Sequence, residues 1–130
     1  MNIYPYAAAV TLLVLLLLFA TAASVGRARG RYGVKAPATS GHEMFDRAFR
    51  IQMNTLENTV QMLPALWLCA IYASDRLAGL LGLVWLLLRI WYALAYQRDP
   101  AKRGAAFGLS SLAFAALWLG AAWGLARGFA

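Results

Sequence analysis

Between Tyr4 and Val25 the chain carries no charged residue, a run of 22 positions, and a helix of that length crosses the roughly 30 Å hydrocarbon core of a bilayer. The following stretch, Gly26 to Gly41, is rich in Gly, Arg and Pro and reads as a polar connection. A second helix is predicted to begin between Gly41 and Phe45, capped by Thr39 or Ser40, and becomes wholly apolar only from Met62 to Ala73. After the short connection Asp75-Arg76, apolar residues resume from Leu77 to Tyr96 with one interior charge, Arg89. A polar break from Gln97 to Arg103, containing Pro100, precedes an uncharged segment from Gly104 to Ala126, and Arg127 closes it. No strand-like alternation competes with this pattern. It predicts an all-α chain, a single domain over residues 1–130 with helices at about 4–25, 44–73, 77–97 and 104–126. In lipid only helices or closed barrels satisfy their own backbone, so four runs with short connections form an integral-membrane, up-and-down four-helix bundle. A cleaved signal peptide is the rival reading of the first run, because Ala20-Thr21-Ala22 imitates a processing site; Met1 to Tyr6 lacks the basic residues such a peptide requires.

Composition changes the picture by exclusion. Apolar residues make up 62% of the 130 positions and charged residues 13%, against about half and a quarter in soluble domains, which excludes a water-soluble monomer of this size. Twelve Lys and Arg against five Asp and Glu give a net charge of +7, and the position of those charges decides its meaning. Arg27, Arg29, Arg31, Lys35, Arg47, Arg50, Arg98, Lys102 and Arg103 fall on one side of the spans, Arg76 and Arg127 on the other, and Arg89 within. That asymmetry puts loops 26–43 and 98–103 in the cytoplasm and both termini on the far side. It also excludes nucleic acid as a partner, since the cations alternate with spans instead of lining a soluble face. The short Ala-, Leu- and Arg-rich chain fits a bacterial inner membrane. A lone Cys69 permits no intrachain disulfide and reads as a packing residue. The lone His42 has no companion ligands, so no metal site is expected.

The chemistry concentrates where the second helix meets the bilayer. Arg50, Asn54, Glu57 and Gln61 recur at i, i+4, i+7 and i+11 and line one stripe of a helix. On the third helix Arg89, Tyr92 and Tyr96 form a matching stripe, with Arg103 just beyond its end. Two readings follow. Glu57 pairs with Arg89 or Arg50 to fix helix register while the tyrosines form an interfacial belt. Alternatively, the stripes enclose a site for a small zwitterion reached from the cytoplasmic surface, Arg and Asn holding carboxylates and Glu57 an amine. A pocket so rich in Arg would also favour the thiolate form of any thiol brought into it.

These residues resemble the MAPEG family, the membrane-associated proteins of eicosanoid and glutathione metabolism. The resemblance is carried by Arg31-Tyr-Gly-Val-Lys-Ala-Pro-Ala-Thr-Ser-Gly41, by Phe45-Asp-Arg-Ala-Phe-Arg50-Ile-Gln-Met-Asn54-Thr-Leu-Glu57-Asn58, and by Arg89-Ile-Trp-Tyr92-Ala-Leu-Ala-Tyr96 leading to Arg103. It implies a homotrimer of four-helix subunits with glutathione, a co-substrate needing no metal, bound between neighbours near the cytoplasmic face. Position by position, Arg50, Gln52, Asn54 and Glu57 would contact glutathione from the second helix, Tyr92 and Tyr96 from the third. Arg103 would stabilise its thiolate, and one of Arg27, Arg29 and Arg31, with Arg29 the choice, would reach in from the neighbouring subunit.

The implied chemistry is attack of that thiolate on a lipophilic electrophile or reduction of a lipid hydroperoxide, the acceptor arriving from membrane lipid past Phe107, Leu109, Trp118 and Trp123. Asn58 stands where leukotriene-synthase-like members carry tyrosine, which favours the microsomal glutathione transferase branch and a detoxification role. Two other classes compete: a non-catalytic relative that presents a lipid to a partner, and a small multidrug transporter. The transporter would need its intramembrane carboxylate in the first helix, which has none.

Overall fold

The computed structural model describes residues 3–130. Its elements in chain order are α1 (Pro5–Tyr32), α2 (Glu43–Tyr72), α3 (Asp75–Arg98), the 3-10 turn Pro100–Arg103, and α4 (Gly104–Phe129). The helices run alternately up and down; α2 and α3 form the central pair, and α1 and α4 lie on opposite sides of it. Among the described residues no strand is found.

The first connection departs from the sequence pattern. Residues 26–32, expected in the loop, continue α1, because Arg and Ala are good helix formers whether or not they face lipid. Arg29 and Arg31 sit in the last turn, where cations complement the carboxyl-terminal end of the helix dipole. The helix stops at Gly33, whose φ of 69° is the left-handed conformation that glycine adopts without steric cost. The actual loop, residues 33–42, is pinned from both sides. Arg29 Nη1 donates to the carbonyls of Ala38 (2.7 Å) and Val34 (3.5 Å), with its guanidinium 4.8 Å from the Phe45 ring centroid. Asp46 accepts from Gly41 N (3.1 Å) and from Ser40 Oγ (3.2 Å).

The cap of α2 is neither Thr39 nor Ser40. It is His42, whose Nδ1 accepts from Met44 N at 3.1 Å while its ring stacks on Tyr32 with centroids 4.1 Å apart. Helix α3 starts at Asp75, two residues earlier than expected, because Ser74 caps it by accepting from Leu77 N. At its far end α4 runs on to Phe129, through Arg127.

Two sets of contacts hold the far end together. Asp75, in the first turn of α3, reaches across to the start of α1 and accepts from Tyr6 N (3.0 Å) and Ala7 N (2.9 Å). Here one carboxylate satisfies two of the amide groups that every helix start leaves without an intrahelical acceptor. Glycines then let helices meet. A Cβ on Gly79 would overlap Tyr6 of α1, and one on Gly124 would overlap the Tyr72 carbonyl at the end of α2. Between the two ends lies a core of Val10, Val14, Met62, Leu66, Trp85, Leu86 and Leu117, which also contains the buried thiol of Cys69. Cys69 is thus the packing residue its surroundings implied.

The outside of the bundle is apolar. Leu12, Phe19, Leu112 and Trp123 are each more than 60% exposed, an arrangement that only lipid makes favourable. Segments Pro5–Tyr32, Asp75–Arg98 and Pro100–Phe129 are long and apolar enough to span a bilayer. Helix α2 falls short on composition, since its amino-terminal half carries Glu43, Asp46, Arg47, Arg50 and Glu57.

Candidate functional site

The antiparallel threading gathers the end of α1, the start of α2, the end of α3 and the 3-10 turn at one pole of the bundle, and this pole holds the nine cations counted above. Arg47 ties the elements together. Its Nη1 donates to the carbonyls of Gln97 and Arg98, both at 3.1 Å, satisfying the last turn of α3, while Nη2 pairs with Glu43 one turn back. Beside it opens a cleft of about 510 Å3 whose walls include Asp46, Arg47, Arg50, Tyr96 and Pro100. That volume is within the range of about 300–1,000 Å3 usual for small-molecule sites.

Part of the expected stripe is brought together. Arg50 Nη1 lies 3.5 Å from Glu57 Oε1, both side chains about half exposed, and Gln61 is exposed one turn further on. Of the two partners considered for Glu57, the structure selects Arg50. Tyr96 stands across the cleft from Arg50, its ring 5.8 Å from that of Tyr92 and 5.6 Å from the guanidinium carbon of Arg103. Arg103 is exposed at the junction of the 3-10 turn and α4.

Asn54 departs from the stripe. It is 6% exposed and turns into the bundle, where its Oδ1 accepts from Arg89 Nη2 at 2.8 Å. Asn54 and Glu57, three residues apart, differ by about 60° around a helix, enough to send one inward and the other outward. Arg89 itself is fully buried, donates also to Thr55 Oγ1 (3.2 Å), and lies 4.0 Å from the centroid of Tyr92. Tyr92 is fully buried, and its hydroxyl, like Arg89 Nε and Nη1, has no hydrogen-bond partner among the described residues. These groups form an internal polar layer behind the exposed Arg50, Glu57 and Arg103 and the half-buried Tyr96.

Two expected residues lie apart from the cleft. Gln52 is half-buried on α2, about 200° around the helix from Arg50, outside the residues that line the cleft. Arg29 is engaged by the loop and Phe45 within its own chain. Three charged residues of the cleft went unmarked by the spacing, Glu43, Asp46 and Arg47. The only signal was their place in the first turn of α2, where charges ordinarily serve the helix end. Among the described residues no group of His, Cys, Asp and Glu could hold a metal ion.

A four-helix bundle with an apolar exterior, a polar layer buried between α2 and α3, and a cleft at one pole lined by charges of both signs defines an integral membrane protein. Its relatives agree with that description. The MAPEG family matches residues 6–123, and the chain belongs to it. It is 47% identical over 114 residues to an uncharacterized protein of Synechocystis sp., covering 88% of this chain and 83% of that one. It is 37% identical over 108 residues to human microsomal glutathione S-transferase 2, covering 83% and 74% of the two chains. With leukotriene C4 synthase of Cavia porcellus it shares 38% identity over 112 residues, 86% of this chain and 73% of the other.

Proposed function

We propose that the protein is an integral-membrane glutathione transferase that holds glutathione as a thiolate and delivers it to lipophilic electrophiles or lipid hydroperoxides. Its relatives named for glutathione transfer and leukotriene C4 synthesis support the substrate class. The observation that carries the reading is that one cleft is lined by Arg50, which pairs with Glu57, and by Tyr96, whose ring lies beside Arg103.

Glutathione has two carboxylates, one ammonium and a thiol, and the cleft offers a counterpart to each. Arg50 and Arg47 attract carboxylates, Glu57 the ammonium, and Arg103 with the Tyr96 hydroxyl the sulfur. The guanidinium of Arg103 beside the sulfur stabilises its anion and releases the thiol proton to solvent. In conjugation the sulfur lone pair forms a C–S bond as the leaving group departs with its bonding electrons. With a hydroperoxide the sulfur takes the terminal oxygen, the O–O bond breaks to an alcohol, and a second glutathione closes the disulfide and releases water. The reacting sulfur belongs to glutathione, because Cys69 is buried in the core away from this pole.

A homotrimer completes the reading. The cleft is open to the outside, and Arg29 would close it from the next subunit. The pole carrying nine of the twelve cations faces the cytoplasm under the positive-inside rule, and a bacterial inner membrane suits the relative from Synechocystis. The whole chain, residues 1–130, acts as one domain in this assembly.

The test is stopped-flow absorbance in the thiolate band on detergent-solubilised protein mixed with glutathione at neutral pH, beside Arg103→Ala. The expected result is a thiolate signal in the wild type that the variant loses while still binding glutathione. Binding without any thiolate signal in the wild type would refute the transferase reading and favour a non-catalytic relative. Absence of binding would refute the site itself.

A further inference from the structure

Around the bundle from the cleft, α1 and α3 stand apart over α2 and leave a groove of two connected sections. The deeper section, about 230 Å3, is apolar and bounded by Leu17 and Ala20 of α1, Ile51 of α2, and Ile90 and Leu94 of α3. The section nearer the charged pole, about 410 Å3, is bounded by Arg27, Arg31 and Tyr32 of α1 and Met44 of α2. Ser24, Ala48 and Gln97 belong to both, so the two sections are continuous. Along α1 the walls follow one helical stripe that changes from Leu and Ala to Ser to Arg. Small side chains at Ala20 and Ala48 keep the trough open where α1 and α3 flank α2.

The charge of the upper section is unbalanced. No Asp or Glu lines either part of the groove. The nearby carboxylates are engaged elsewhere: Glu43 on Arg47, Asp46 on the loop, and Glu57 on Arg50. Arg27 Nη2 donates to Ser24 Oγ at 3.2 Å and Arg31 lies 5.6 Å from the Tyr32 ring centroid, which orders both cations without neutralising them.

We infer that this groove binds one anionic glycerophospholipid of the surrounding leaflet, its phosphate held by Arg27 and Arg31 and one acyl chain lying between α1 and α3. Length supports that occupant over a soluble anion. Leu17 to Arg31 rises about 21 Å along the helix, and one leaflet measures about 15 Å of hydrocarbon plus about 5–7 Å of headgroup. A soluble phosphate would use only the upper section. A second copy of this chain paired to this face about a two-fold axis would bring its own basic stripe against Arg27 and Arg31, which like charges disfavour.

Native mass spectrometry of the full-length protein in mild detergent tests this, with phosphatidylglycerol and phosphatidylcholine of identical acyl chains as probes. One phosphatidylglycerol per chain is expected to be retained with at least tenfold preference. The double variant Arg27→Gln/Arg31→Gln should reduce that preference below twofold, whereas Arg27→Lys/Arg31→Lys should keep most of it. Ala20→Phe, which fills the trough from an exposed position, should lower retention of both lipids. Equal retention of the two lipids by the wild type overturns the inference. So does loss of binding in the Gln variant with none in Ala20→Phe, which would mean attraction of headgroups to the surface alone. A change of oligomeric mass in Ala20→Phe would overturn it in favour of a second copy of the chain.

Discussion

Replacing Arg89 should separate the fold from the site. This guanidinium is fully buried between α2 and α3, bonded to Asn54 Oδ1 at 2.8 Å and Thr55 Oγ1 at 3.2 Å, and packed 4.0 Å from the Tyr92 centroid. Hydrogen bonds from a charged donor contribute about 1.5–3 kcal/mol, but interhelical bonds within membranes average about 0.6 and reach about 1.7 kcal/mol. A desolvated cation over a ring adds about 2 kcal/mol. Taking the membrane figures for the bonds, Arg89→Ala should destabilise the bundle by about 3–5 kcal/mol. Arg89→Met should cost less than half as much, because it fills the space and removes the Nε and Nη1 groups that have no partner among the described residues. Both variants release Asn54 and Tyr92, so both should weaken glutathione binding by about tenfold (about 1.4 kcal/mol) even where stability recovers. The assay is reversible unfolding in mixed micelles for Arg89→Ala, Asn54→Ala and the double variant, together with glutathione titration of each folded variant. A coupling of about 1–2 kcal/mol between Arg89 and Asn54 is expected. Coupling below about 0.3 kcal/mol, the scatter of additive sites, would refute the keystone role. Full glutathione affinity in Arg89→Met would refute the link from the inner polar layer to the cleft.

Other substitutions test single contacts. Asp75→Ala removes the carboxylate that accepts from Tyr6 N and Ala7 N and should destabilise the bundle by about 1–2 kcal/mol, read as a lower unfolding midpoint; an unchanged midpoint would make the cross-helix cap energetically idle. Gly124→Ala places a methyl against the Tyr72 carbonyl and should cost about 1–3 kcal/mol by forcing α4 from α2, whereas Gly128→Ala, which meets nothing within 4 Å, should be neutral in the same unfolding assay. Glu57→Gln breaks a half-exposed pair, so stability should move by less than about 1 kcal/mol while glutathione affinity falls; an equal fall for an analogue lacking the amino group would show that Glu57 does not hold it. Arg29→Ala frees the carbonyls of Val34 and Ala38 and should speed hydrogen exchange across residues 33–42, with unchanged exchange refuting the tether.

The helices were legible because burial in lipid imposes uninterrupted apolar runs, and these set four segments to within a few residues at most ends. The larger miss, residues 26–32, has the same cause. Apolarity marks where a helix is in the membrane, and α1 leaves the hydrocarbon near Gly26 but stays helical until Gly33 supplies a left-handed residue. The cap of α2 was missed because hydroxyl side chains are the usual choice and His42 takes the place by accepting through Nδ1.

The site shows where spacing stops being informative. Periodicity put Arg50, Asn54, Glu57 and Gln61 on one stripe, and a stripe wide enough to include all four straddles the boundary between the bundle interior and its surface. Which side of that boundary a residue takes depends on what the facing helix offers. Opposite Asn54 it offers Arg89, a buried cation with no carboxylate beside it, and the amide oxygen turns inward to meet it. Glu57, free of that demand, stays outside with Arg50. The consequence for chemistry is a division of labour. The buried cation bonds Asn54 and packs on Tyr92 inside the bundle, and the exposed pair leaves one cation and one anion at the surface, the two charges the proposed ligand would meet. Had Glu57 paired with Arg89, the charges would have neutralised each other inside the bundle, and Arg50 would have stood at the surface without the carboxylate it pairs with.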